Sequence, residues 1–143
     1  MVDREARKQG AQLIQQFGSG IITNDDFDND FPRSRTDPAL REIHDRLWLS
    51  WDDRFTHRLT DKYRLNQEGQ ALFQRCVLFL HSNLEYEWPR FRPAGIKLIF
   101  FRMLHLSQAE VLEQQAVERL RQFGELGVWP FRRREDYERE QKF

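Results

Sequence analysis

Apolar side chains recur along most of this chain every three or four residues, the spacing that lines one face of an α-helix. Ala6, Gly10, Leu13 and Phe17 do so among polar neighbours, which predicts a first helix over about residues 3–17, ended by Gly18 and Gly20. Thr23-Asn24 reads as a cap for a short helix over residues 24–30. Its aspartates crowd toward the N-terminus, where the helix dipole favours negative charge, and Pro32 stops it. Asp37-Pro38 joins an N-cap acid to a first-turn proline. Leu40, Ile43, Leu47, Trp51 and Phe55 then form a stripe that predicts the clearest helix of the chain, about 38–56. Trp48 and Leu49 fall off that stripe, and Leu49 points nearly opposite Leu47. This helix is therefore either sandwiched or carries a partly exposed apolar face.

Asn66 caps the next predicted helix, about 67–82. Its second half is apolar on every side, through Leu72, Phe73, Cys76, Val77, Leu78, Phe79 and Leu80, as in a central buried helix. Residues 96–106 are too short an apolar run for periodicity to separate helix from strand; helix is favoured because no partner strand is visible. Ser107 and Glu110 match a capping box and open a helix to about residue 123, ended by Gly124 and Gly127. Residues 132–142 are charged and predict a short exposed helix. Together these elements give a mainly α, single-domain bundle of five to seven helices around an aromatic-rich core. It spans residues 1–143 and carries a charged C-terminal segment, 132–143.

Composition fits that reading. The chain has 143 residues, 12 Phe and 4 Trp, enough aromatic surface for one core. No apolar run approaches the roughly 20 residues of a membrane helix, and the charged N-terminus shows no secretory signal; a soluble, cytoplasmic protein is expected. The single cysteine, Cys76, lies in an apolar stretch and reads as a buried, inert thiol. Acids and bases balance at 23 each, so no net charge steers the chain toward nucleic acid or anionic lipid. Local charge is less even. Asp25, Asp26, Asp28 and Asp30 form an acidic run, and Arg90, Arg92, Lys97 and Arg102 lie in a stretch without acids.

Few patterns carry chemistry. Asp26-Phe27-Asp28-Asn29-Asp30 resembles the start of an EF-hand loop, but the sixth position is Phe31 rather than Gly, the twelfth is Asp37 rather than Glu, and Pro32 falls inside. An acidic contact patch or a capped helix start is the better reading. Asp53, His57 and Asp61 are four residues apart; on a continued helix they would share a face and could hold a divalent metal, although Arg54 and Arg58 beside them suit an ordinary ion-paired face. Nucleophile elbows, phosphate loops and Cys-x-x-Cys pairs are not found, and no cofactor is expected. Arg90, Arg92, Arg102 and Arg132 to Arg134 mix with aromatics as in single-strand nucleic-acid binders. Two Trp-Pro pairs, Trp88-Pro89 and Trp129-Pro130, either lock the core or expose an aromatic anchor.

The leading expectation is a non-enzymatic module that binds another protein, such as a toxin-neutralising immunity protein or an adaptor of a bacterium. The contact residues would be Asp25, Asp26, Asp28, Asp30, Trp48, Leu49, Trp129, Phe131, Arg132 and Arg133. The alternatives are a nucleic-acid-binding regulator using Arg90, Arg92, Arg102 and Arg134, and a small metal-dependent enzyme using Asp53, His57 and Asp61. No membrane partner is expected, and homo-oligomerisation is left open.

Overall fold

The computed structural model describes residues 1–51, 54–89 and 118–143. Over these the chain is mainly α, with no strand among the described residues, and its helices enclose an aromatic core. Helix α1 is Arg4–Gly18, α2 is Asn24–Asp30, α3 is Pro38–Trp48, α4 is Gln67–His81 and α5 is Arg134–Gln141. Short 3₁₀ turns lie at Asp61–Tyr63 and Leu126–Val128, and residues 118–121 are helical. The uncertain run 96–106 and the Ser107–Glu110 capping box lie outside the described residues.

Side-chain caps start α1 to α4 because the first backbone N–H groups have no partner within the helix. Asp3 accepts from the Ala6 N–H at 3.1 Å, Asp37 from Ala39 at 3.1 Å and Asn66 from Gly69 at 2.8 Å. Thr23 and Asp26 form a reciprocal capping box, each side chain accepting the other's backbone N–H at 3.1 and 3.0 Å. After α1 the chain turns through Gly20 at φ +74°, a conformation that suits glycine.

One boundary differs from the sequence pattern. The stripe predicts a helix to residue 56, but α3 ends at Trp48. Leu49 and Ser50 donate to Arg46 and Leu47 three residues back, which tightens and closes the last turn. Trp51 then lays its ring edge-on against Phe17 and Phe27, at centroid distances of 4.9 and 5.5 Å. Ser50 is a residue type whose side chain competes for backbone hydrogen bonds, which weakens a continuation of the helix.

The core is built on α1 against α4. Gly10 of α1 lets Leu40 of α3 and Phe31 come close: a Cβ there would lie 3.0 Å from Leu40 Cδ2 and 3.3 Å from Phe31 Cζ. Phe17, Phe27, Phe31, Phe73 and Phe79 are all buried, and each contributes about 1.5–3 kcal/mol by leaving water. Cys76 is buried among them, and desolvation pushes its thiol pKa up, as expected for an inert thiol.

The Trp-Pro segments join this core and meet each other. Trp88 is 5% exposed and Trp129 3%. Trp88 Nε1 donates to the Phe131 carbonyl at 3.3 Å, and Trp129 Nε1 donates to the Tyr86 hydroxyl at 3.1 Å. Arg75 on α4 donates to the Trp129 carbonyl at 3.0 Å, tying the second segment to the central helix. Phe131 fills the space between Phe79 and Tyr137 of α5, with centroids at 5.2 and 5.4 Å.

Candidate functional site

The acidic run is largely occupied inside the fold. Asp26 serves the capping box, and the hydrogen bonds from Thr23 hold its carboxyl below the usual carboxylate range. Asp25 accepts from the Thr56 hydroxyl. Asp28 lies 3.0 Å from His44 Nε2 on α3, and the His44 ring stacks on Phe27 at 5.7 Å. Burial works against charge on this imidazole, but hydrogen bonds and charge from Asp28 and Asp45 outweigh it and hold its pKa up to about 9. His44 is therefore a cation at neutral pH that fastens α2 to α3. Asp25, Asp26 and Asp30 are still exposed, so α2 presents an acidic edge to solvent.

The other residues singled out from sequence fall in different places. Trp48 and Leu49 are half-buried where α3 ends. Trp129 and Phe131, at 3% and 0% exposure, offer no surface to a partner; both are core residues. Their neighbours are paired within the chain. Arg132 donates to the Phe123 carbonyl at 2.6 Å and pairs with Glu87 at 3.4 Å, and Arg134 pairs with Glu125 at 3.1 Å. Arg133 is exposed at the start of α5. Arg90, Arg92 and Arg102 lie outside the described residues, as does Asp53.

The premise of a metal face does not hold. Asp53, His57 and Asp61 needed a helix through residue 56 and beyond, and α3 ends at Trp48. His57 lies instead in the loop that follows, 8% exposed, with Nδ1 2.8 Å from the Phe55 carbonyl and its ring stacked on Tyr63 at 4.0 Å. No cluster of three or more metal-ligating side chains is found among the described residues.

What the loop does is carry a surface. Asn24, 1% exposed at the start of α2, clamps it. Its amide donates to the Phe55 carbonyl at 3.1 Å, its side-chain oxygen accepts from the His57 N–H at 2.8 Å, and its own N–H donates to the His57 carbonyl at 3.0 Å. Arg58 reaches the Ile21 carbonyl at 3.3 Å. Two apolar side chains stand in water on these joined segments: Ile21 is 62% exposed and Phe55 60%. The Arg54 guanidinium lies over the Phe55 ring, 6.0 Å from its centroid.

No known protein family, curated protein or solved structure matches this chain.

The helical spacing puts Phe55 on the buried stripe of α3, whereas it lies beyond the end of that helix and is exposed. Ile21 carried a weak signal: it follows the Gly18–Gly20 break and belongs to no helical stripe. A large apolar residue off every stripe is a candidate for exposure.

Proposed function

We propose that this protein is an interaction module that works by binding another protein through the face formed by Ile21, Phe55 and the acidic edge of α2. The carrying observation is the pair of exposed apolar side chains on segments that Asn24, Thr56 and Arg58 hold together. An apolar centre with a charged rim, fixed before binding, gives a partner contact area without the cost of ordering a loop. The titratable groups nearby support contact rather than bond chemistry: Asp26 caps a helix and Asp28 holds His44. A role such as toxin-neutralising immunity or adaptor work in a bacterium suits a module of this kind. No described helix is long and apolar enough to cross a membrane.

The test is affinity capture from source-cell lysate with the wild-type chain and with Phe55→Asp and Ile21→Asp variants of matched thermal stability. A protein retained by the wild type and lost from both variants supports this function. Retention that ignores both substitutions contradicts it.

A further inference from the structure

Four exposed bases gather around the first turns of α1. Arg4 and Lys8 lie one turn apart on that helix, and Arg33 and Arg35 follow α2. The Ser34 hydroxyl donates to Asp3 at 2.8 Å, which holds the second pair close to the first. Among the described residues none of the four has an ion-pair partner. Other exposed arginines are paired, as in Arg121–Glu118, Arg134–Glu125 and Arg139–Asp136. Here the neighbouring acids are used inside the fold: Asp3 caps α1, and Asp37 is held by Arg7. Glu5 stands exposed among the bases.

Two of these bases line a groove. Glu5, Lys8, Gln9 and Gln12 recur at intervals of three and four, so they share one face of α1. Pro32 and Arg33 complete the lining, and the space enclosed is about 430 Å³. Gln9 Nε2 donates to the Asp30 carbonyl at 3.4 Å, which ties the end of α2 to α1. The groove therefore offers two cations, one carboxylate and two carboxamides.

That set selects among occupants. A nucleic-acid strand carries a phosphate at every step and would meet Glu5 with like charge, and no lining side chain is an aromatic on which a base could stack. An amphipathic helix would find no apolar stripe to lie on. An extended acidic peptide matches every group present. Its carboxylates suit Lys8 and Arg33, its carbonyls accept from the glutamine amides, and its N–H groups donate to Glu5 and to the amide oxygens. Between residues 5 and 12, α1 rises about 10 Å, the length of about three extended residues.

We propose that this groove binds a short acidic segment of a partner protein in extended form, with its carboxylates on Lys8 and Arg33. The groove shares no residue with the Ile21–Phe55 face and does not depend on it. Its footprint is small and its charges are exposed, so binding is weak, with a dissociation constant on the order of 10–100 µM at low salt that rises with ionic strength.

Fluorescence anisotropy of labelled polyglutamate with the full chain tests this, with labelled oligo-dT of the same charge as the competing class. The wild type is expected to bind polyglutamate in that range, and more tightly than oligo-dT. Lys8→Glu and Arg33→Glu should each weaken binding about fivefold or more. Both side chains are exposed, so the thermal midpoints should hold. Gln12→Ala removes a neutral amide from the groove and should weaken binding about threefold. Arg133→Glu reverses an exposed cation outside the groove and should leave the affinity within about twofold.

A wild type that does not bind polyglutamate at low salt overturns the proposal, as does an equal loss from Arg133→Glu. Tighter binding of oligo-dT overturns it in favour of nucleic acid. An affinity that ignores Gln12→Ala overturns the seating of the peptide in the groove. Phe55→Asp leaves every lining residue in place and should keep the polyglutamate affinity, so this proposal and the contact role of Ile21 and Phe55 fail separately.

Discussion

The guanidinium of Arg7 and the carboxylate of Asp37 form a two-point ion pair inside the bundle, each residue 1% exposed. Asp37 also accepts the N–H groups of Asp3 and Ala39, at 3.0 and 3.1 Å, and so caps α3. Arg7 Nη1 donates to the Ser82 carbonyl at 3.2 Å, just past the end of α4, and its guanidinium lies 5.1 Å from the centre of the Phe79 ring. A charge pair this deep survives only when its remaining hydrogen-bonding capacity is satisfied, and here three helices satisfy it.

Removing one partner strands the other charge in the core. Arg7→Ala and Asp37→Ala should each cost about 3–5 kcal/mol in denaturant unfolding. A loss under about 1 kcal/mol from either would show that the pair does not join the helices.

The Trp129–Tyr86 hydrogen bond gives a second prediction. Trp129→Phe leaves the buried Tyr86 hydroxyl without its indole donor and should cost about 1–3 kcal/mol. Tyr86→Phe on the same background should cost little more, because the orphaned hydroxyl is gone. Additive losses in the double variant would count against the pairing.

Stability should fall at mildly alkaline pH. The His44 pKa is raised from 6.5 to about 9, so its contribution is complete below about 6.5 and is lost as pH rises through about 9. The side chain is 26% exposed, so the loss after solvent screening is on the order of 1–2 kcal/mol. Unfolding free energies of the wild type and His44→Gln, compared between those pH values, should converge as pH rises. A constant gap would refute the Asp28–His44 link.

Asn24→Ala should loosen the loop without unfolding the bundle. It removes one donor and one acceptor that bind the Phe55 carbonyl and the His57 N–H. A stability loss of about 1–3 kcal/mol is expected, together with faster amide exchange at His57. Unchanged exchange there would mean that Asn24 is not the clamp.

Much of the fold was legible because its signals are local. Asp37-Pro38 and Asn66 marked helix starts through caps acting two or three residues away, and the stripes named Phe17, Leu40, Ile43 and Leu47 as core. Non-local relations were not legible. Nothing near Arg7 indicates a partner 30 residues away, and the acidic run concealed that Asp28 serves His44 and Asp25 serves Thr56. The end of α3 was misplaced because Trp51 and Phe55 kept the helical interval. Trp51 packs on Phe17 and Phe27, contacts that exist only once α1 and α2 are in place.

The central claim, that contact runs through Ile21, Phe55 and α2, is tested most directly by hydrogen–deuterium exchange of the protein with and without the partner it retains. Exchange should slow at residues 20–30 and 54–60 and stay unchanged at 128–134. Slowing confined to 128–134, with the first two segments unaffected, would contradict it.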